Sequence, residues 1–586
     1  MLYIKYKNMK LKIKNTNRKI LTNFSFKTCL IILITGLFFV SCDNDLEEEV
    51  YSSFTGDNFY TDVASAELGL FGIYDVLATD ELYGRGYLLY FHTGTDQERY
   101  WRQDRGLDDD LLANYQIQEN NAWVGKVWSQ FYTGIYRANQ VIERVTVLRD
   151  KNSAISDPST KQVSDLASYN NILGDAYFLR GFMYFQLVKN WGDVPLRLTS
   201  NITLETLKVE RDPKVKVYEQ IEKDMLAAIN MLPVASGVKS PARVSKAAAQ
   251  GILSRIYLTW AGSPVKDTSK FEKSVEQAWA VVSSGQHQLN TTIEQLTIGA
   301  PFDQLFPQVF KNLSEKVFEP KESMWEIQFS FVGDSRNDAS TLGTWHGVTQ
   351  HTNSSYKRGA PRRYNLPTFY DTFEADDEIR RDYSISQFEI DKDDQFVPVG
   401  RDKLKWGIGK FRRYLINSLS PDKNYDVINF PVLRYADVLL MFAEGINETI
   451  ENGGALPSGV SMFNAYEAVN QVKRRARNLP INVAAPSVDV SGSGGSNFRQ
   501  QIRDERSWEL CNENLRKPDL IRWGILVQTV RQTGANMAAA GYSKDYDYFP
   551  AVNIQERNVL LPIPFSSEIS QNPDILNTDP SNNGYR

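Results

Sequence analysis

The chain has 586 residues, with 66 lysines and arginines against 71 aspartates and glutamates, and a net charge of −5. Because binding to phosphates requires an excess of basic residues, nucleic acid is not an expected partner. Three cysteines are too few for a disulfide framework, so stability must come from a large apolar core, which a chain of this length can bury.

The first 41 residues combine a basic stretch with a short apolar one. Eight lysines and arginines and no acidic residue precede Cys29, and residues 29–40 are almost wholly apolar. This order is typical of a secretory signal, because a membrane span needs about 20 apolar residues. Residues 39–42, FVSC, resemble a lipobox, where signal peptidase II cuts before a cysteine that is then acylated. We expect a lipoprotein signal peptide over 1–41 and lipidation of Cys42, rather than an uncleaved anchor.

Acidic residues follow Cys42 at once, and we interpret residues 42–50 as a tether next to the lipid. Acid after a lipidated cysteine also resembles the surface-export signal of certain Gram-negative lipoproteins. Cleavage before Cys42 would remove eight positive charges and change the net charge from −5 to −13. Cys29 would leave with the signal, so Cys511 would have no disulfide partner within the chain.

Helical patterns dominate residues 51–290. The segment 129–148 places apolar residues on one helix face, whereas 171–190 is apolar nearly all round, as a helix in the middle of a bundle should be. Further helices are predicted over 215–232, 245–260 and 275–283, the second with Ser245 as its N-cap. These segments resemble stacked helical hairpins of the tetratricopeptide type.

Residues 291–427 have a different composition, rich in Gly, Asn, Ser, Asp and Tyr. This composition predicts loops with short strands such as 324–331. Further helices are predicted at 434–447, 465–477, 498–513 and 518–529. They are followed by an extended tail that contains several prolines. The one low-complexity patch, SGSGGS at 491–496, is short enough for a loop. We therefore expect 51–290 and 291–586 to form one globular unit.

Several stretches together resemble the SusD/RagB family of outer-membrane nutrient-binding lipoproteins. They are AYFLRGFMYFQLVKNWGDVPL (176–196), VYEQIEKDMLAAINMLP (217–233), RVSKAAAQGILSRIYL (243–258), LRYADVLLMFAEGIN (433–447), IRDERSWELCNENLRKPDLIRWG (502–524) and LPIPFSSEISQNP (561–573). The resemblance implies a mainly α fold of about four tetratricopeptide-like hairpins with an irregular, loop-rich half packed against them. It also implies a lipid-anchored protein of the outer membrane, facing the exterior, that captures oligosaccharides for a SusC-like TonB-dependent transporter barrel.

An exported glycosidase is the main alternative from another class. Glu505 and Glu509 share one face of the helix 498–513, and a glycosidase needs two carboxylates. That face is apolar and arginines are plentiful, so we interpret the pair as buried and structural. No phosphate-binding loop or nucleophile motif is present, so we expect no catalysis and no cofactor. Metal-ligand spacing is also absent around the four histidines, His92, His287, His346 and His351.

Tryptophans supply the candidate ligand site. Trp101 and Trp345 stand in polar loops, where an exposed ring suits stacking on a sugar. Arg102 and His346, which are adjacent to the two rings, are the predicted hydrogen-bond donors, with Asp96 and Tyr356 as further candidates. Each ring could instead fix its own loop to the scaffold. We assign the tryptophans in or beside helices to the core, namely Trp128, Trp191, Trp260, Trp279, Trp508 and Trp523.

The sequence leaves open which nutrient is bound. A peptide or another nutrient is the alternative ligand within the same family. A structural adaptor that uses its hairpins to hold another protein is the alternative from a third class.

Overall fold

The computed structural model describes residues 56–586 except for 102–105, 239, 241, 294–303, 332–337, 401, 417–422, 493 and 543–547. The predicted signal peptide and tether, including Cys42, lie outside the described residues, as does Arg102. A short helix, Gly56–Phe59, belongs to a separate N-terminal unit, and Tyr60–Arg586 form a second, compact unit. No helix of the described residues is long and apolar enough to cross a membrane.

Thirteen helices of seven or more residues are present in the described residues. They are α1 Val63–Ala78, α2 Ala122–Ser153, α3 Thr160–Trp191, α4 Lys214–Met231, α5 Lys246–Ala261, α6 Lys270–Ser283, α7 Leu305–Glu315, α8 Glu378–Ser384, α9 Tyr435–Glu451, α10 Met462–Ala476, α11 Gly495–Glu509, α12 Arg516–Arg522 and α13 Leu526–Ala539. Shorter helices include Gly86–Tyr90, Asp108–Ala113, Leu204–Leu207, Leu342–Trp345, Pro367–Tyr370 and Pro550–Asn553. The prediction of a mainly α fold is confirmed.

Helices that follow one another along the chain pack side by side. Contacts join α1 to α2, α2 to α3, α3 to α4 and α5 to α6, and α9 then packs on α6, α10 and α11. Helix α3 lies between α2 and α4, which explains why its second half is apolar all round: Phe178, Leu179 and Met183 have no exposed surface. Ser245 caps α5 as predicted, because its Oγ accepts a hydrogen bond from the Ala248 amide at 3.1 Å.

The strands in the described part of the chain are short and pair antiparallel in twos. The pairs are β1 Glu98–Tyr100 with β3 Arg363–Asn365, β2 Ser323–Ile327 with β8 Phe430–Arg434, β4 Ile385–Ser386 with β7 Gly407–Ile408, and β5 Phe388–Ile390 with β6 Phe396–Pro398. Two of these pairs join segments far apart in sequence. The pairing of β1 with β3 ties the N-terminal helices to the loop-rich region and positions the site described below.

The C-terminal tail is fastened to the N-terminal helices. Trp191, at the end of α3, donates from its indole N–H to the Pro562 carbonyl at 2.9 Å. Asn583 donates from its amide to the Trp191 carbonyl at 3.0 Å, and the Leu561 amide donates to the Asn190 carbonyl at 2.7 Å. Trp191 itself has no exposed surface. The last residues of the chain therefore complete the core of its first half.

Two predictions about helices were wrong. The sequence predicted one helix over 518–529, but Gly524 has φ +71 and separates α12 from α13. Only glycine adopts this backbone conformation at little cost, so the chain turns there. Helix α7 was missed although Phe306, Val309, Phe310 and Leu313 follow a helical period, because it is short and lies within the region 291–427, whose composition predicted loops.

Candidate functional site

Backbone hydrogen bonds bring Trp101 and Trp345 together although 244 residues separate them. Trp101 follows β1, and its amide donates to the Arg362 carbonyl at 2.8 Å, next to the β1–β3 pair. Trp345 ends the short helix Leu342–Trp345, and its carbonyl accepts from the Arg362 amide at 2.7 Å. Arg362 therefore bridges the two tryptophans through its backbone.

The side chain of Arg362 lies between the two indole rings. The carbon of its guanidinium group is 4.1 Å from the Trp101 ring centroid and 4.7 Å from that of Trp345. These separations are within the range of a cation–π interaction. Both indoles retain partial exposure. The two predicted tryptophans thus belong to one surface feature, with an arginine that the sequence did not single out.

The alternation of rings and cations continues beyond Trp345. The Arg85 guanidinium is 5.7 Å from the Trp345 centroid and 5.0 Å from that of Trp123, on whose ring Lys126 also lies at 4.9 Å. Trp123 is partly exposed near the start of α2. We name this group the tryptophan–arginine cluster, defined by Trp101, Trp123, Trp345, Arg85 and Arg362.

The Arg85 side of the cluster is held by a loop that precedes the helix Gly86–Tyr90. Arg85 forms an ion pair with Asp80, which also accepts a hydrogen bond from the Tyr425 hydroxyl at 3.2 Å. Burial raises the pKa of the Asp80 carboxyl, and Arg85 opposes that rise. The Gly84 carbonyl accepts from the Thr341 amide at 2.8 Å. This bond connects the loop to the residue before the helix that ends at Trp345.

The Trp345 side is anchored in the interior. Thr344 donates from its amide to the Asp426 carboxylate at 2.9 Å, and its hydroxyl accepts from the Arg413 guanidinium at 2.9 Å. Asp426 and Arg413 are both buried. Burial raises the pKa of the Asp426 carboxyl, an effect that Arg413 opposes. Trp345 is therefore presented at the surface by a neighbour that is fixed in the core.

Close packing explains the glycines around Trp345. A Cβ atom at Gly347 would lie 2.2 Å from the Gly343 carbonyl oxygen and 2.6 Å from that of Phe411. At Gly343 it would lie 2.6 Å from the Ile428 side chain. Backbone oxygens cannot withdraw as a flexible side chain can, so Gly347 is required for the turn after Trp345.

Three other predicted site residues lie apart from the cluster. His346 has no exposed surface, and its Nε2–H donates to the Asn512 carbonyl at 2.8 Å, so it is not available as a surface donor. Burial lowers the pKa of its imidazole well below the ordinary range. Asp96 is paired with Arg516 at 2.6 and 2.9 Å. Tyr356 packs its ring 6.0 Å from that of Tyr414. Arg102, the remaining predicted donor, is outside the described residues.

The expectation that Glu505 and Glu509 are structural is confirmed. Both carboxylates are buried, with at most 1% of their side-chain surface exposed. Glu509 accepts from Arg380 at 3.2 Å, Arg434 at 3.0 Å and Arg475 at 2.5 Å, and Glu505 accepts from Arg380 at 2.6 Å. Burial favours a raised pKa for Glu509, but its arginine neighbours outweigh burial and lower the pKa to about 2. Both carboxylates are therefore held in ion pairs in the interior.

The tryptophan assignments to the core hold in most cases. Trp128, Trp191 and Trp260 are at most 2% exposed, and Trp508 is 8% exposed. Trp279 and Trp523 are only partly buried. Among the residues that the structure describes, no group of three or more His, Cys, Asp or Glu side chains is arranged to hold a metal ion.

The cluster thus combines partly exposed indoles and guanidinium groups on a scaffold of helical hairpins. Two family profiles match the chain, one described as the SusD family over residues 321–585 and one described as starch-binding associating with outer membrane over residues 86–258. A SusD-like protein of Formosa agariphila is 26% identical over 590 residues, which cover 95% of this chain and 98% of that protein.

Solved structures agree with the profiles. A SusD homolog from Bacteroides thetaiotaomicron is 28% identical with a TM-score of 0.77, over 89% of this chain and 97% of that one. A protein described as a laminarin binding SusD-like protein shares the fold, with 21% identity and a TM-score of 0.62, over 88% and 98% of the two chains. The chain belongs to the SusD family. Carbohydrate binding and association with the outer membrane are the properties of that family.

Proposed function

We propose that the tryptophan–arginine cluster binds an oligosaccharide at the cell surface. The observation that carries the proposal is the Arg362 guanidinium between Trp101 and Trp345, at 4.1 and 4.7 Å from their centroids. Aromatic rings provide apolar faces for the C–H surfaces of a pyranose, and guanidinium N–H groups donate to its hydroxyls. Rings on both sides of the arginine restrict its rotamers before binding, which reduces the entropy lost when a ligand is held.

The family description as starch-binding and the laminarin binding of a protein with the same fold support a glucan as the first ligand to test. Starch and laminarin differ in linkage, so the cluster need not select the same glucan as either protein. Glu505 and Glu509, the basis of the glycosidase hypothesis, are buried in ion pairs. A binding role is therefore favoured over hydrolysis.

The proposal extends to transport. A lipid on Cys42, with each buried CH₂ contributing about 0.8 kcal/mol, would keep the protein at the outer membrane. Capture by the cluster would then raise the local concentration of glycan above a SusC-like TonB-dependent transporter, which would take it up. Copurification of the lipidated protein with a TonB-dependent barrel tests this partner, and its absence from the membrane complex would contradict the delivery step.

The experiment that tests binding is calorimetric titration of the folded protein with maltoheptaose and laminarihexaose. We expect Trp101→Ala and Trp345→Ala each to weaken binding by about 1–2 kcal/mol, which is about a tenfold change in Kd for each 1.4 kcal/mol. Phe463→Ala is the matched control, since this aromatic side chain is 72% exposed on α10 and outside the cluster. Parent-like binding by both tryptophan variants would place the site elsewhere, and binding of a peptide library but no glycan would favour the peptide alternative.

A further inference from the structure

A second cleft lies on the C-terminal helices. It is formed by α11, α12, α13 and the short helix Pro367–Tyr370, and it encloses about 540 Å³. Ligand sites in proteins typically occupy about 300–1,000 Å³, so a saccharide unit fits this volume. None of the residues of the tryptophan–arginine cluster lines the cleft. It is therefore a separate candidate site.

Arg503 lines the cleft and differs from the other arginines of α11. Arg499 forms a bidentate pair with Glu448 at 2.5 and 2.9 Å, and Arg506 pairs with Asp437 at 2.7 Å and Asp519 at 2.9 Å. The Arg503 side chain has no ion pair and no hydrogen bond to any residue that the structure describes, and its Nε–H is buried without an acceptor. Its guanidinium instead lies 4.8 Å from the Trp523 ring centroid.

An unpaired, partly buried guanidinium is unfavourable unless an anion reaches it. Burial lowers the pKa of Arg503, whereas the hydrogen bond with Glu448 raises the pKa of Arg499. The packing of Arg503 on Trp523 fixes its position at the cleft. A planar guanidinium held in this way is suited to bind a carboxylate or a sulfate through two parallel hydrogen bonds.

The other charged groups of the cleft are less suited than Arg503 to bind an anion. Asp96 and Arg516 neutralise each other through their bidentate pair at 2.6 and 2.9 Å. Asp504 accepts one hydrogen bond from the Gln500 amide at 2.8 Å and is only partly buried, so it can accept further hydrogen bonds. Exposed amides on α13, such as that of Gln528, add polar groups. The lining thus offers one cationic position and several partners for hydroxyl groups.

We propose that this cleft binds an acidic saccharide unit, with the anionic substituent on Arg503 and hydroxyl groups on Asp504 and the neighbouring amides. The substituent is a carboxylate or a sulfate ester, both of which carry a negative charge and a pair of oxygens that can accept two hydrogen bonds from one guanidinium group. This inference goes beyond the proposed function, because it uses a different site and a different chemical feature of a glycan. It predicts a protein with two independent carbohydrate contacts.

The test is ligand-observed NMR titration of the folded protein with four probes: methyl glucuronide, glucose 6-sulfate, methyl glucoside and N-acetylglutamate. We expect at least one acidic sugar to bind about tenfold more tightly than methyl glucoside and N-acetylglutamate, a ratio set by one charge-assisted pair. The better of the two acidic sugars identifies the substituent. If neither acidic sugar binds the parent, or if methyl glucoside or N-acetylglutamate binds equally well, the proposal is wrong.

Two variants locate the site. Arg503→Gln should reduce the affinity for the acidic sugar about tenfold, to that of the neutral sugar, with little loss of thermal stability, because the side chain forms no ion pair or hydrogen bond with the residues that the structure describes. The matched control Arg499→Gln, on the same helix, should bind as the parent does. Trp101→Ala should also leave binding of the acidic sugar unchanged. The experiment therefore tests this cleft independently of the tryptophan–arginine cluster. Parent-like affinity in Arg503→Gln, or loss of acidic-sugar binding in Trp101→Ala, would overturn the proposal.

Discussion

Replacement of Glu509 by glutamine tests the buried ion network that joins α8, β8, α10 and α11. Glu509 has no exposed surface and accepts hydrogen bonds from Arg380, Arg434 and Arg475. These arginines lower its pKa from the ordinary 4.5 to about 2 despite the opposing effect of burial. Each pKa unit corresponds to about 1.4 kcal/mol, so the difference amounts to about 3 kcal/mol of folding free energy. This agrees with the about 3–5 kcal/mol lost when one partner of a buried pair is removed.

The sign of the pH dependence follows from the same values. Because the pKa of Glu509 is lower in the folded state, its ionised form stabilises the protein fully above the unfolded-state value near 4.5, and this contribution is lost as the pH falls towards 2. The Glu509→Gln variant has no ionisable side chain at this position, so it lacks this pH-dependent contribution to stability. We therefore expect the variant to be about 3 kcal/mol less stable than the parent at neutral pH, and the difference to shrink as the pH falls from about 4.5 to about 2.

Urea unfolding of the parent and Glu509→Gln at several pH values measures this difference. Glu556→Gln serves as the control, since this side chain is exposed and its replacement should change stability by less than about 0.5 kcal/mol. A Glu509→Gln variant within about 1 kcal/mol of the parent at neutral pH, or a difference that does not change with pH, would refute the reasoning.

Four further predictions concern the anchor, the core and the site. Cys42→Ala should move the protein from the membrane fraction to the soluble fraction on cell fractionation, and an unchanged distribution would place the anchor elsewhere. Trp191→Ala should lower the free energy of unfolding by about 3–5 kcal/mol in urea denaturation, because the ring is fully buried and its N–H is bonded to Pro562. Gly347→Ala should lower the melting temperature, since its Cβ would lie 2.2 Å from a carbonyl oxygen and such strain costs about 1–3 kcal/mol. Arg362→Lys should weaken glycan binding in calorimetry although the charge is kept, because a lysine lacks the planar group that lies between two indoles; unchanged affinity would show that Arg362 contributes only charge.

The helices could be predicted from the sequence where burial follows an apolar period. The segment 171–190 lies wholly within α3, and 215–232 matches α4 to within a residue at each end. Helix α7 and the break at Gly524 were missed for physical reasons. Helix α7 is a short segment within a region whose composition predicted loops, so its apolar period was overlooked, and a single glycine gives no sign of whether it will adopt a positive φ.

The candidate site could be predicted only in part. A tryptophan in a polar loop is a visible signal, and it found Trp101 and Trp345. Arg362 was not visible, because its position depends on the pairing of β1 with β3, which are more than 260 residues apart. The prediction of His346 as a donor was wrong because it relied on adjacency to Trp345 in sequence. The chain turns inward after the short helix, and the imidazole is buried against Phe411. Trp123 could have been noticed as an exposed aromatic at the start of a helix.

The fastening of the tail to the first half of the molecule has a consequence for when the protein can fold. Until residues 561–583 are present, the indole N–H of Trp191 lacks its acceptor and the carbonyls of Asn190 and Trp191 lack their donors. Buried polar groups without partners are costly, so an incomplete chain gains little from closing these hairpins. Packing of the end of α3 would then be completed only when the last residues of the chain are present. If the signal peptide predicted over residues 1–41 directs export, such a delay would help the chain to pass through a translocation channel before it folds.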